Sequence, residues 1–263
     1  MTYLQFLEYI ARKSGEIIKS EFKLGMKKQM KSDFSPVTIT DKKINTLVIE
    51  ELKKYFPTHD LKGEEESNFE NNSDYLWVCD PIDGTIPFSC GFPISTFSLA
   101  LVYRGEPIAG VIYDPYMDRL LIGEKGKGTY LNGERVTVNN KSKIDGNTII
   151  SGEFFSTAIY DISDVVKNLS SKGIKYFQFC SVLYGGIMLC AGEIDAVLFP
   201  HNTAHDGASL KILVEEAGGK MTDVFGNEQA YDGEIKGYIA SNDKIHDELV
   251  SIVQEKIGKK DIG

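Results

Sequence analysis

The sequence predicts an α+β half followed by an α/β half, with a cleft shared between them. Helical apolar spacing near the N-terminus gives way at about Leu76 to strand-like runs punctuated by turn residues. After about Asp145 strands and helices alternate, the texture of an α/β layer. The apolar run Trp77-Val78-Cys79 reads as a buried strand and breaks into Asp80-Pro81-Ile82-Asp83-Gly84-Thr85, placing two carboxylates three residues apart at a strand end.

Residues 3–22 put Leu4, Leu7, Ile10, Ala11, Ile17, Ile18 and Phe22 at helical spacing, with Glu8, Lys13, Glu16 and Lys19 interspersed. This is an amphipathic helix that docks on a core, too charged for the apolar stretch of a secretory leader. A second helix follows Asp41, with Ile44, Leu47, Val48, Leu52, Tyr55 and Phe56 to one side and Pro57 as its stop. Strands are expected at 97–103, 107–113, 119–123 and 129–138, with Arg-Gly-Glu, Asp-Pro-Tyr and Asn-Gly turn chemistry, as in an antiparallel meander. The stretch 139–146 is the expected boundary, dividing an N-terminal half, 1–144, from a C-terminal half, 145–263, that completes the cleft. Beyond it, strands at 148–151, 176–179, 196–199 and 238–240 alternate with helices near 157–171, 182–191, 206–217 and 243–257.

At 263 residues and 42% hydrophobic, the chain can bury one large core or two smaller ones. Its 29 basic and 38 acidic residues leave a net charge of −9, which argues against nonspecific nucleic-acid or anionic-membrane binding. An anionic substrate would need local positive charge against that field, and a bound cation supplies it. Cys79, Cys90, Cys180 and Cys190 form no C-x-x-C pair, so reduced thiols in a cytoplasmic protein are expected. No run approaches the roughly 18 apolar residues of a spanning helix, and a soluble protein is expected.

Pro81 fixes its own φ and biases Asp80 toward an extended backbone, while Gly84 permits a tight turn. Carboxylates held this way, beside a free carbonyl and a hydroxyl, suit hard divalent cations such as Mg²⁺. Three further acidic positions have the chemistry to converge with them. Glu64 sits in Gly63-Glu64-Glu65-Glu66, with Glu65 the second choice, and Asp41 sits in Thr38-Ile39-Thr40-Asp41. Asp206 opens a segment ending in Gly218-Gly219, and reads as an N-cap or first-turn residue of a helix that those glycines stop.

Blander readings compete. Asp80 and Asp83 alone would be an Asx-type turn capping the next helix. His201 and His205, four apart, invite a zinc reading, but no Glu joins them in an H-E-x-x-H pattern. Gly126-Lys127-Gly128 lacks Walker spacing and reads as a turn, Cys79 reads as a core thiol, and Ser181 has no evident His or acid partner.

Glu64, the Asp80–Thr85 block and the Asp206–Gly219 block together resemble the inositol monophosphatase superfamily of Mg²⁺-dependent, often lithium-sensitive phosphatases, from about Thr38 to Ser241. The resemblance implies a layered α-β-α-β-α sandwich with two or three Mg²⁺ ions in the cleft, and a homodimer. It implies Glu64, Asp80 and the Ile82 carbonyl as ligands of a first metal, and Asp80, Asp83 and Asp206 as ligands of a second. Thr85 would orient the attacking water, with Asp41 behind it and Glu64 assisting. Backbone N–H groups of Gly84 and Thr85 would hold phosphate oxygens. Asp83, Phe199, His205 and Asp206 would border the substrate.

Several positions depart from the family pattern. Pro87 stands where Asn is common, His205 replaces a common Trp, and Cys180-Ser181-Val182-Leu183 replaces Gly-Ser-Ala-Ala. Phe199 stands where inositol-preferring members carry a Glu that bonds a ring hydroxyl. The expected function is Mg²⁺-dependent hydrolysis of a small polyol or sugar phosphate, such as myo-inositol monophosphate, without strong preference for that ester. Either His201 or His205 is the alternative source of the lost polar contact. Histidinol phosphate, fructose bisphosphate and nucleotide 3′-phosphates are the alternative substrates, and a regulatory partner-binding protein is the alternative of another class.

Overall fold

A capping box starts each of the two N-terminal helices. Thr2 and Gln5 exchange hydrogen bonds at the head of α1 (Tyr3–Glu21), and Thr38 and Asp41 do so at the head of α2 (Ile39–Tyr55). Between these helices lie two short strands, β1 (Lys28–Met30) and β2 (Pro36–Thr38), paired antiparallel. The structure, a computed structural model, describes residues 1–25, 28–30, 36–64, 71–153 and 158–259.

Seven strands follow in sheet order: β3 (Asp60–Gly63), β4 (Tyr75–Asp83), β5 (Thr96–Tyr103), β6 (Glu106–Asp114), β7 (Arg119–Glu124), β8 (Gly128–Leu131) and β9 (Glu134–Arg135). Among the described residues of this sheet β3 and β4 pair in parallel, and the other neighbours pair antiparallel, as in the expected meander. A short helix, α3 (Thr85–Cys90), leaves the end of β4.

The second half comprises β10 (Ile149–Gly152), β11 (Tyr160–Asp161), α4 (Ser163–Ser171), β12 (Lys175–Phe177), α5 (Val182–Cys190) and β13 (Ala196–Phe199). A 3₁₀ turn (Ala204–Asp206), α6 (Ala208–Glu216), β14 (Gly219–Thr222), β15 (Tyr238–Asn242), α7 (Asp243–Lys256) and β16 (Gly258–Lys259) complete it. Its five-stranded sheet runs β12-β10-β13-β15-β14, with β12, β10 and β13 parallel and β15 antiparallel to both its neighbours.

Strand alternation sorts the side chains into five layers. Trp77, Cys79, Leu99 and Leu101 meet Phe6, Ile10, Ile44 and Val48 of α1 and α2. Val78, Ala100 and Val102 point the other way, onto Leu183, Ile187, Leu210 and Leu213 of α5 and α6. The same central layer receives Val197, Phe199 and Ala240 from the second sheet. Ala196, Leu198 and Ile239 face outward onto Val165, Leu169, Leu249 and Val253 of α4 and α7. The result is the α-β-α-β-α sandwich. Because α5 lies between two sheets it is apolar all round, and its glycines permit close approach. A Cβ on Gly186 would lie 2.5 Å from Leu210 Cδ1.

The structure corrects several boundaries. The strand expected at 129–138 breaks at Asn132-Gly133, both at positive φ, and Val138 leaves the sheet to donate to the Ala217 carbonyl. The helix expected at 157–171 starts at Ser163 after β11, and residue 157 lies outside the described residues. The strand expected at 176–179 is Lys175–Phe177, and its last expected residue precedes Cys180 at φ 56°. β3 and β14 carry too few apolar residues to stand out in sequence.

Candidate metal centre

In a regular strand, residues three apart point to opposite faces. Asp80 pairs with Ser98 and Asp83 with Thr96, so β4 carries one extra residue there. This bulge turns both carboxylates to one side. Pro81 and Ile82 occupy it, with the Ile82 N–H donating to Asp80 Oδ1 at 3.0 Å.

Gly84 follows at φ 85° and caps α3. A Cβ there would lie 2.7 Å from Ser181 Cβ and 3.0 Å from the Ile94 carbonyl, so glycine satisfies both the left-handed backbone and the close approach of α5.

Asp83 is fixed by the head of α5. Its Oδ2 accepts from Ser181 Oγ at 2.6 Å, Thr96 Oγ1 at 2.9 Å and the Leu183 N–H at 3.0 Å, while Oδ1 accepts from the Val182 N–H at 3.0 Å. Asp206 arrives from the second sheet. Tyr238 Oη donates to its carbonyl at 2.9 Å, and its Oδ2 meets Thr203 Oγ1 and, at 3.3 Å, His205 Nε2. Asp206 does not cap α6: it ends the 3₁₀ turn, and Gly207 takes the N-cap position.

Asp80, Asp83 and Asp206 each offer an oxygen, and the three lie within 4.8 Å of one another. Burial first, then Glu64, Asp206, Asp83 and Asp41, push the Asp80 carboxyl well above the ordinary range. Burial raises Asp83 to about 6, against the lowering effect of its bonds to Ser181 and Thr96. Among the described residues no Lys or Arg pairs with Asp80 or Asp83. Hard oxygen donors with unneutralised charge fit Mg²⁺, and neither His201 nor His205 joins this group.

Glu64 stands beside the cluster rather than inside the group of three. The parallel pairing of β3 with β4 puts it there, with its N–H donating to the Cys79 carbonyl at 3.1 Å. Glu65 lies outside the described residues. A cavity of about 300 Å³ adjoins Glu64 and is lined also by Lys62, Thr203 and His205.

Thr85 Oγ1 lies 3.0 Å from the Ile82 carbonyl and 3.4 Å from Asp41 Oδ1. Its single proton serves one of these acceptors, and its lone pairs remain free to accept from water. Asp41 is fully buried, with its other oxygen held by the Thr38 N–H at 2.8 Å.

Other expected residues fall elsewhere. Phe199 is 2% exposed and stacks on Tyr238 at 4.9 Å between centroids, so it is a core ring and not a pocket wall. His201 lies against that ring at 5.0 Å. The Cys79 thiol is buried and raised well above its ordinary pKa by burial, Asp80 and Glu64, which suits a core residue. The Gly126–Gly128 turn is held by Glu216, whose carboxylate accepts from both glycine N–H groups at 2.7 Å.

Sequence reasoning missed Thr96, Ser181 as a clamp, Thr203, Tyr238 and Glu153. Thr96 and Ser181 act across elements and carry no local signature. Glu153 carries a weak one, an acidic residue three positions beyond the apolar pair Ile149-Ile150, where Ser151-Gly152 close the strand. Burial, Asp83 and Asp206 all raise its carboxyl well above the ordinary range.

Comparison with known proteins agrees with this geometry. The chain is 32% identical over 259 residues to a Thermotoga maritima protein named fructose-1,6-bisphosphatase/inositol-1-monophosphatase, covering 98% of each. It is 30% identical over 258 residues to inositol monophosphatase 1 of Solanum lycopersicum, covering 93% of this chain and 92% of that one. The solved structure of a Thermotoga maritima IMPase superposes with a TM-score of 0.87 at 30% identity, covering 97% of this chain and 98% of that one. Residues 2–258 match the inositol monophosphatase family, and with the carboxylate cluster in place the chain belongs to that family of phosphatases.

Proposed function

We propose that the protein is a Mg²⁺-dependent phosphomonoesterase acting on a small polyol or sugar phosphate, with myo-inositol monophosphate as the leading substrate. The observation that supports this most is the convergence of Asp80, Asp83 and Asp206 from two sheets. Phosphate monoesters hydrolyse so slowly that enzymatic accelerations reach about 10²¹-fold, and a divalent cation is a general solution. Bound by these carboxylates, with Glu64 and the Ile82 carbonyl beside them, Mg²⁺ would screen the phosphate charge, acidify water and stabilise the leaving oxygen.

The chain's own residues supply position. The Thr85 hydroxyl donates to Asp41 or to the Ile82 carbonyl, so its oxygen accepts from the attacking water and aims it. Glu64, whose charge acts on Asp80, assists. The N–H groups of Gly84 and Thr85 face the phosphate oxygens, and Asp83, Asp206 and His205 border the leaving group. Two or three ions, a cytoplasmic location and a homodimer belong to the same proposal, by family resemblance.

Fructose bisphosphate is the second substrate, because the name of the Thermotoga relative joins both esters. Phosphate release should be followed for the two esters, glycerol phosphate and histidinol phosphate, with Mg²⁺ and with chelator. Chelator-sensitive release from the polyol esters is expected. Absence of release from every ester in saturating Mg²⁺ overturns the proposal.

A further inference from the structure

Glu153 follows the last residue of β10, and its N–H donates to the Leu198 carbonyl of β13 at 3.2 Å. Its side chain therefore leaves the five-stranded sheet at the carboxyl end of its parallel strands, the edge at which α/β sheets bind ligands. The chain leading to Asp206 leaves β13 at the same edge. Asp83 and Asp206 both act electrostatically on Glu153, which in turn acts on Tyr176, Cys180 and Tyr238. The shared sheet edge and this charge coupling put Glu153 on the side of the carboxylate cluster, outside the group of three.

Two features show that this corner is not built for stability. Among the described residues Glu153 has no basic partner, although a half-buried carboxylate facing two others is costly. The hydroxyl of Tyr176, on the neighbouring strand, is buried without a hydrogen-bond partner among the described residues. A Cβ on Gly152 would lie 2.4 Å from that hydroxyl, so glycine is what lets the phenol reach the strand end. Among the described residues an acceptor without a basic partner and a donor without a hydrogen-bond partner thus belong to one strand end, coupled by charge to the carboxylate cluster. The Phe199 ring, packed in the core, offers neither.

We propose that Glu153, assisted by Tyr176, recognises hydroxyl groups on the carbon skeleton of the substrate. Glu153 accepts hydrogen bonds from the polyol, and Tyr176 completes the contact. The inference rests on the phosphomonoesterase reading and deepens it, by assigning specificity for a polyhydroxylated leaving group to one side chain. Buried polar groups that only the right substrate can pair reject a leaving group without hydroxyls.

The test compares wild type, Glu153→Gln, Glu153→Ala and Tyr176→Phe on myo-inositol monophosphate and on p-nitrophenyl phosphate, whose leaving group has no hydroxyl to bond when esterified. For Glu153→Ala, kcat/KM on the inositol ester should fall about tenfold to hundredfold, mainly through KM. The aryl ester should change less than about twofold, because it never used the contact. Glu153→Gln, which keeps an acceptor and the side-chain shape, should fall less, and Tyr176→Phe should repeat the pattern more weakly. Mg²⁺ affinity by titration calorimetry should be unchanged in all three. Equal losses on the two esters, or a loss of Mg²⁺ affinity, overturn the inference and leave the phosphomonoesterase reading standing. A wild type that releases phosphate from neither ester overturns both.

Discussion

Asp195 and Asp80 are both carboxylates inside the fold, 3% and 2% exposed, and their surroundings are opposite. Asp195 accepts from Lys141 Nζ at 3.0 Å, Asn139 Nδ2 at 2.9 Å and the Ile149 N–H at 2.8 Å. Asp80 accepts one backbone N–H, and the charges acting on it are Glu64, Asp206, Asp83 and Asp41. An architectural carboxylate carries its counterion within the chain. A carboxylate meant for an external cation leaves that place open, at a cost to the metal-free protein.

The strongest way to break this contrast is Asp206→Asn. Its Oδ2 partners can still be satisfied by the amide oxygen, so the fold should persist while kcat falls by about 10²–10³-fold in saturating Mg²⁺. In chelator its Tm should hold or rise, because repulsion on Asp80 and Asp83 is relieved. Near-normal turnover would show that Asp206 holds no metal. Asp83→Asn is a poorer test than its sequence context indicates, since an amide nitrogen in place of either oxygen would meet N–H or O–H donors.

The architectural side should fail in the other currency. Asp195→Ala leaves the Ile149 N–H and Lys141 without their acceptor, and should lower stability by about 3 kcal/mol in urea unfolding. Its kcat, measured where the protein is folded, should stay within about twofold of wild type. A large loss of kcat with normal stability would reverse the two assignments.

Thr85→Ala sharpens the division within the site itself. If the hydroxyl aims water as proposed, turnover should fall about tenfold to hundredfold while Mg²⁺ affinity by calorimetry is kept, since its own contacts are with Asp41 and Ile82. Weakened Mg²⁺ binding with normal kcat at saturation would make Thr85 a ligand.

His246 gives the smallest effect and an uncharged counterpart to Asp80. Its ring is fully buried between Ser241 Oγ at 2.8 Å and Thr222 Oγ1 at 3.0 Å, and burial, helped by Lys220, lowers its pKa to about 4. With an unfolded value near 6.5, the folded state binds fewer protons between the two values. Stability is therefore complete above about pH 6.5 and falls as pH drops toward 4, by at most ~1.4 kcal/mol per pH unit. Chemical denaturation of wild type and His246→Gln across this window should show a shallower slope in the variant. Identical slopes would mean that the ring titrates normally.

Much of the site could be read from short stretches because its chemistry is local. Asp80-Pro81-Ile82-Asp83-Gly84-Thr85 specifies a strand end, a turn and a helix start within six residues, whereas the helix expected after Asp41 begins at Ile39, with Asp41 drawn into a capping box on Thr38. The amphipathic spacing of α1 and the meander from β4 to β9 follow equally from periods of 3.6 and 2. These are properties of consecutive residues, and the chain alone carries them.

Other features exist only once the layers close. The β4 bulge aims Asp80 and Asp83 to one side, but what immobilises Asp83 is Ser181, 98 residues away, with Thr96 across the ladder. Phe199 reads as a pocket residue by family resemblance and becomes core because alternation in β13 turns it, with Val197, toward α5 and α6. Glu153 gains its neighbours because β10 lies beside β13. Local backbone preference and apolar period act between residues close in sequence, whereas burial, charge coupling and hydrogen-bond partners depend on which elements pack together. That is why the carboxylate motif was legible in the chain, and the fixing of its carboxylates and the surroundings of Phe199 and Glu153 belonged to the tertiary structure.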